Sequence, residues 1–306
     1  MKKILSNSVM AFRKQLIWIF LFPSLLCAQP YVDILNIKYQ HFGEESYTGN
    51  SPNKLGGSLS EATVLLPLEQ KDSSVIFAGF DYSRLNFIST KEKELNAQLY
   101  SMSLQVGYDY KWKNGKWRTM AMVIPKMNSD KNKSGSDDFQ AGGVLLFNYK
   151  KNENLHYHFG LYYNREFFGD YFTPLLGIEW KINDKTNLFG DLPSNLNIEY
   201  KINTSFYTGA GIMTNISSYR IHSSSQIGYV REGDAFWGHD QVKLFLNWYM
   251  TPHLVLFAEV GETFNRTFVL FDDENNEIND PTSTFGKSKD GMFITGGLAY
   301  RYRLEK

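Results

Sequence analysis

Apolar and polar side chains alternate one by one along most of the chain. The clearest stretch is 100–112, where every second residue from Tyr100 to Trp112 is apolar and the residues between them, such as Gln105, are small or polar. Successive side chains of a β-strand point to opposite faces, so the stretch is predicted to be a strand with one apolar and one polar face. Asn114-Gly115 follows, and this dipeptide favours a tight hairpin turn.

The same pattern recurs to the end of the chain and predicts an all-β protein of about 14 antiparallel strands. The predicted spans are 31–42, 58–69, 74–88, 95–112, 117–127, 138–150, 155–166, 172–182, 186–192, 195–201, 206–220, 239–250, 253–270 and 290–304. The ninth and tenth spans are short and are joined by Pro193-Ser194. If they do not cross a membrane, the count falls to 12.

Two architectures use such strands: a soluble sandwich with its apolar faces inside, and a membrane barrel with them outside. The alternating stretches reach about 10–15 residues, whereas soluble strands average about five or six. Short connections alternate with long polar ones, and aromatic residues cluster at the strand ends, as in the girdles of membrane barrels. We therefore expect residues 29–306 to form an antiparallel transmembrane β-barrel. Its external loops are predicted at 43–57, 128–138, 221–238 and 271–289.

The first 28 residues are typical of a secretory signal peptide. A basic region up to Lys14 precedes an apolar run, 16–26, and the small residue Ala28. The run is too short for a spanning helix, which needs roughly 20 residues. Cleavage before Cys27, the only cysteine, to give a lipoprotein is the alternative. The expected location is the outer membrane of a bacterial envelope.

Charge and composition exclude one class of partner. The chain has 32 basic and 32 acidic side chains, and the predicted signal peptide contains four of the basic ones and no acidic one. The mature chain is therefore slightly acidic, which disfavours nucleic-acid binding. The expected partners are outer-membrane lipid, the barrel-assembly machinery and a small solute.

Two neighbouring segments resemble a known family. They are Pro174-Leu175-Leu176-Gly177-Ile178-Glu179-Trp180-Lys181-Ile182-Asn183 and Leu192-Pro193-Ser194-Asn195-Leu196-Asn197-Ile198-Glu199-Tyr200. They are similar to an uncharacterised Bacteroidota outer-membrane β-barrel family, domain-of-unknown-function family 6268. The resemblance implies an outer-membrane barrel and brings no known catalytic residues.

Charged residues on the polar strand faces are the best candidates for a functional site. A cation facing lipid near the membrane centre costs about 2–4 kcal/mol, so these residues are expected to face the barrel interior. The predicted pore-lining residues are Asp109, Lys111, His156, His158, Glu179, Lys181, Glu199, Lys201, Glu259, Arg301 and Arg303. Their mixed signs argue against a strong preference for anions or cations.

Three other groups could carry chemistry, each with a simpler interpretation. His156 and His158 with Glu179 could hold a metal ion or merely hydrate the lumen wall. His222 with serines 223–225, or His239-Asp240, could belong to a hydrolase or to a polar loop. The acidic segment 272–280 could attract calcium but lacks the Gly-centred spacing of a calcium loop. No cofactor, metal or catalytic residue is predicted.

The function expected from these features is a passive channel or transporter for small solutes. A non-transporting barrel with a structural or surface-interaction role is the alternative. An outer-membrane-embedded hydrolase is a third hypothesis.

Overall fold

The computed structural model describes residues 30–46, 54–89, 97–130, 135–222, 228–233, 239–278 and 288–304. The predicted signal peptide, 1–28, lies outside these ranges, as do parts of the predicted external loops. In the described ranges, no helix has the length and apolar character needed to cross a membrane.

The chain forms a closed antiparallel barrel of 14 strands, so the predicted fold class is confirmed. The wall strands are β1 (Tyr31–Ser46), β2 (Lys54–Glu69), β3 (Val75–Ser89), β4 (Gln98–Lys111), β5 (Trp117–Ser129), β6 (Phe139–Asn152), β7 (Leu155–Glu166), β8 (Gly169–Lys181), β9 (Thr186–Leu192), β10 (Asn195–Lys201), β11 (Phe206–Asn215), β14 (His239–Tyr249), β15 (Leu254–Phe264) and β17 (Gly291–Arg303). The first and last strands close the wall by pairing from Tyr31 with Arg303 to Phe42 with Phe293. This closure leaves the barrel without a free edge between its first and last strands.

The apolar strand faces point outward. On β4, Leu104 and Val106 are each 54% exposed, whereas Gly107 and Asp109, on the other face, are buried. Exposed aromatic side chains such as Trp112 lie close to the short turns. An apolar exterior with a polar interior is the arrangement of a transmembrane barrel and the reverse of a soluble sandwich.

The connections between wall strands alternate between the two ends of the barrel. The turns 70–74, 112–116, 153–154, 182–185, 202–205 and 250–253 lie at the end where β1 begins and β17 ends. The four predicted long loops fall at the other end, which we call the outer end. The β7–β8 and β9–β10 connections are short ones at the outer end. The alternation between the two ends follows because consecutive wall strands are antiparallel.

Two predicted strands are wrong at their outer ends. The predicted strand 206–220 stops at Asn215, and the predicted strand 253–270 stops at Phe264. The chain then turns into the barrel and forms β12 (Ser217–Ile221), β13 (Gly228–Glu232) and β16 (Phe268–Phe271). These three strands pair as an antiparallel sheet, called the inner sheet below. Because β13 lies within the predicted loop 221–238, that segment is not simply an exposed polar loop.

The inner sheet forms because apolar side chains meet at the outer end of the lumen. Phe42, Leu85 and Phe87 point inward from the wall and pack with Val230 and Phe268 of the inner sheet. The break after β15 falls at Asn265, whose φ of 56° lies in the left-handed region that asparagine tolerates better than most residues. Burial of these large side chains stabilises the inward turn by about 1.5–3 kcal/mol for each one fully removed from water.

The short ninth and tenth strands are part of the wall, so the count is 14 and the alternative of 12 is wrong. The β9 strand pairs with β8, and β10 pairs with β11. Each has 7 residues, against 13 in β8. The wall is therefore much lower at this hairpin than at β8 and β7.

The facing of β4 can be tested with two neighbouring substitutions. Leu104→Arg places a cation on the apolar exterior and is expected to destabilise the barrel by about 2–4 kcal/mol. Gln105→Arg is expected to be tolerated, because residue 105 points inward and lies beside the Asp81 carboxylate. Heat-dependent gel migration after membrane assembly measures the folded fraction of each variant. Equal folded fractions would show that the facing assigned to β4 is wrong.

Candidate functional site: the barrel lumen

A buried carboxylate anchors the inner sheet to the wall. Glu166, at the outer end of β7, is 4% exposed. It accepts hydrogen bonds from Lys126 Nζ at 2.7 Å, Gln140 Nε2 at 3.0 Å and the Ser218 backbone N–H at 3.0 Å. Asn128 adds a bond from Nδ2 to Ser217 Oγ at 3.0 Å. These bonds tie β12 to the strands β5, β6 and β7, so the inner sheet has a fixed position in the lumen.

Both faces of the inner sheet are covered. One face packs on the apolar wall residues described above. On the other face, Tyr229, Val269 and Phe271 pack with Phe167 and Phe168 from the β7–β8 connection. The inner sheet therefore spans the lumen and closes much of its outer end.

A polar chamber of about 300 Å³ lies between the inner sheet and the short-turn end. Its lining residues are Tyr31, Asp33, Asn36, Lys38, Glu61, Thr63, Asn197, Lys243, Phe245, Asn247, Phe257, Glu259 and Arg301. Six of them form three ion pairs, Lys38–Glu61 at 2.6 Å, Lys243–Glu259 at 2.5 Å and Arg301–Asp33 at 2.5 Å.

These pairs leave the chamber with no net charge. Of the six charged residues, only Glu259 and Arg301 were among the predicted pore-lining set. The other four also occupy inward positions, and opposite charges at paired positions of neighbouring strands, such as Lys38 and Glu61, could have identified them.

Below the chamber, an ion pair crosses the lumen. Glu199 on β10 is fully buried and contacts Arg303 on β17, with 2.6 Å between Oε1 and Nη2. The two strands are separated in the wall by β11, β14 and β15. Arg303 also donates to the Tyr249 hydroxyl at 2.9 Å, and its guanidinium lies 3.8 Å from the centre of the Tyr207 ring.

A contact between two aromatic rings also narrows the lumen near the short turns. The rings of Tyr31 on β1 and Phe189 on β9 meet at 5.7 Å between their centres. Two sets of cross-lumen contacts therefore constrict the lumen near the short turns.

The two lumen histidines and Glu179 come together as the sequence predicted, and a fourth residue joins them. His156 Nδ1 lies 3.2 Å from Glu179, and His158 Nε2 lies 2.6 Å from the same carboxylate. His158 Nδ1 lies 2.9 Å from Asp191 on β9, a partner that the sequence analysis missed. Across the described ranges, no group of three or more histidine, cysteine or carboxylate side chains has an arrangement that could hold a metal ion. Both histidines lie within hydrogen-bonding distance of carboxylates in this cluster.

Gly177 makes the contact between His158 and Asp191 possible. It lies on β8, paired with His158 on one side and with Asp191 on the other. A β-carbon at this position would overlap the Asp191 carboxylate. Without a side chain at residue 177, Asp191 can reach across β8 to β7.

The other predicted pore-lining residues lie nearer the ends of the strands. Asp109 is buried and pairs with Arg118 at 2.7 Å. Lys111, Lys181 and Lys201 end their strands beside the short turns, and Lys181 pairs with Asp184 at 3.1 Å. The pore-lining role of the whole set stays a prediction.

The loop histidines belong to two separate pairs. His222 Nε2 lies 2.5 Å from Asp138, and His239 Nδ1 lies 3.1 Å from Glu232 rather than beside its sequence neighbour Asp240. Serines 223–225 lie outside the described residues.

The acidic segment near the outer end forms its own turn. Asp272 accepts backbone hydrogen bonds from Asn276 at 2.8 Å and Glu274 at 2.9 Å. The hydrogen bonds from Asn276 are the main reason that the pKa of the Asp272 carboxyl lies below its usual value. Asp273 pairs with Arg220 of the inner sheet at 2.8 Å. Asn279 and Asp280, also part of the predicted acidic loop, lie outside the described residues.

The fold and the lumen define the class of this protein as a transmembrane β-barrel that resembles bacterial outer-membrane proteins. The family described as "Domain of unknown function (DUF6268)" matches residues 25–301, and the chain belongs to this family. A search of curated proteins finds no significant match.

Solved structures with a similar fold include an outer membrane channel, a FadL homologue and an outer membrane phospholipase. An outer membrane channel from Pseudomonas putida F1 is 11% identical, with a TM-score of 0.49 over 88% of this chain and 94% of that chain. A FadL homologue from Pseudomonas aeruginosa is 10% identical, with a TM-score of 0.48 over 89% and 90%. An active-site mutant of outer membrane phospholipase A from Escherichia coli is 12% identical, with a TM-score of 0.38 over 92% and 95%. At such low identity, no activity is transferred from any of them.

The cross-lumen ion pair is expected to be important for stability. Glu199→Gln leaves the Arg303 guanidinium without its buried counter-charge, and breaking such a pair costs about 3–5 kcal/mol. Urea unfolding in lipid vesicles measures the loss. Glu199→Gln combined with Arg303→Met should recover part of it, and an unchanged stability of the single variant would contradict the importance of the pair.

Proposed function

We propose that this protein is an outer-membrane transport barrel that passes small solutes without strong selection by charge. The observation that carries the proposal is the polar chamber, whose three ion pairs leave it without net charge inside a wall that is apolar outside. A purely structural barrel has no need of a polar chamber of about 300 Å³ in its lumen. Rings of charge and the pore diameter are the usual determinants of selectivity in channels.

The same geometry supports a location in the outer membrane. The apolar band requires a hydrocarbon environment, and closed barrels satisfy their backbone hydrogen bonds within the wall. The protein should therefore fractionate with outer membranes. Recovery as a soluble periplasmic protein would contradict this location.

If the barrel is a channel, the contacts in its lumen correspond to a closed state. The inner sheet fills the outer end, and the Arg303–Glu199 and Tyr31–Phe189 contacts narrow the other end. Conduction then requires displacement of the inner sheet. Phe268 is the best point at which to weaken it, because it is 1% exposed and its ring packs edge-on against Phe87 at 4.6 Å.

Planar-bilayer recordings of the full chain test this proposal. Phe268→Asp puts a carboxylate into the apolar contact, so the inner sheet should detach and the conductance should rise several-fold above that of the unmodified protein. Adding Tyr31→Ala, which removes a ring from the constriction, should raise it further. In a salt gradient the open variants should show a reversal potential near zero, because the chamber has no net charge.

The matched control is Phe139→Asp. Phe139 is 64% exposed at the outer end of β6 and has the same side chain as Phe268 without its burial. Its replacement should leave the conductance unchanged. If all folded variants stay silent, the channel proposal fails and the non-transporting barrel is favoured.

That alternative has its own supporting observation. The inner sheet packs on both faces and is hydrogen-bonded to Glu166 of the wall. A barrel with a permanently filled outer end would act through its external surface.

A further inference from the structure

The wall has a notch beside β8. The last pair that joins β8 to β9 is Leu176 with Leu192, and the hairpin turns at residues 193–194. Residues 169–175 of β8 continue beyond it and pair with β7 alone among the described strands. At roughly 3.3 Å per residue, this one-sided edge is about 20 Å long.

The notch lies at the depth of the apolar band. The outward residues of β8 are Phe172, Pro174, Leu176, Ile178 and Trp180, with Leu176 in the middle and 68% exposed. Because Leu192 pairs with Leu176, the hairpin ends near the middle of this band. The outer half of the band is therefore missing where β9 and β10 would have continued.

Pro174 suits an edge that stays unpaired. The N–H of Lys181 donates to Asn154 on the β7 side, so the N–H groups of even-numbered residues of β8 point toward β9 and the notch. Residue 174 is one of these positions, and proline has no N–H to leave unsatisfied in lipid. Proline is also a device that prevents another strand from adding to an edge.

Apolar side chains continue from the notch into the lumen. Phe172 is 58% exposed on the outside, and Leu175 points inward and is buried. The ring centres of Tyr171 and Phe168 lie 6.1 Å apart, and Phe168 also packs against the inner sheet. Asn197, on the inward face of the same hairpin, lines the polar chamber. An apolar entrance therefore leads toward a polar chamber that has no net charge.

We infer that the notch is a lateral entrance through which a small amphipathic molecule passes between the outer leaflet and the lumen. This inference rests on the proposed transport function and names its substrate class. The apolar part of such a molecule matches the notch, and a neutral or zwitterionic head matches the three ion pairs of the chamber. Because the inner sheet covers much of the outer end, the notch offers a route to the lumen that does not cross that end.

Cysteine labelling in lipid vesicles tests the entrance without measuring transport. Leu175→Cys places a thiol behind the notch, and Leu85→Cys places one at an equally buried inward leucine of β3, which is paired on both sides. A pyrene maleimide dissolved in the lipid should label Leu175→Cys several-fold faster than Leu85→Cys. The unsubstituted chain is the blank for Cys27. Equal rates for the two variants would overturn the inference.

The labelled protein then tests the route. Pyrene attached at residue 175 fills the notch, so uptake of the amphipathic probe N-phenyl-1-naphthylamine through the protein should fall several-fold. The same Leu175→Cys protein before labelling is the control. Selective labelling without a fall in uptake would show that the notch is not a route, and a partner strand seated on the edge would abolish labelling. Conductance of the Phe268→Asp variant is measured separately, so failure of the lateral entrance and failure of the channel itself are distinguishable.

Discussion

The rest of the structure depends on the backbone hydrogen bonds of a closed wall. Hydrocarbon offers no partner for a peptide group, so a chain that crosses a membrane as strands must satisfy nearly all of these groups within the sheet. Pairing of β1 with β17 meets this requirement around the barrel. One exception is the upper edge of β8, where Pro174 removes one of the donors that would face lipid. The same constraint therefore explains both the closure of the wall and the residue type at this edge.

Once the wall is closed, its inward side chains must find partners in a confined space. At the outer end, the inner sheet covers inward apolar side chains such as Phe87, and Glu166 of the wall binds its backbone. Nearer the short turns, inward charged side chains pair with neighbours or across the lumen, as Arg303 does with Glu199. An outer end filled by the inner sheet above a polar chamber follows from these two sets of contacts.

Local sequence patterns predicted the wall well because facing in a strand depends only on whether a residue number is odd or even. The alternation in 100–112 fixed the facing of β4, and the chain parity fixed the ends of the loops. The inner sheet could not be predicted in this way, because alternation continues from β11 into β12 and only the tertiary position of Tyr219 and Ile221 shows that they left the wall. The sequence held one usable signal, the inward apolar residues Phe42 and Phe87. The contact of Asp191 with His158 was also beyond local reasoning, since it depends on the register of three strands.

That contact shows how the short hairpin is held in place. An isolated strand end in a membrane would fray, because its terminal pairs have little to support them. Asp191 lies one residue before the end of β9, and His158 holds its carboxylate from two strands away over the bare backbone of Gly177. Glu179 fixes His158 from the other ring nitrogen. The residues first considered as metal ligands thus secure the lower rim of the notch, and the segment 174–183 contains both the proline that faces the notch and the glycine that lets this rim be pinned.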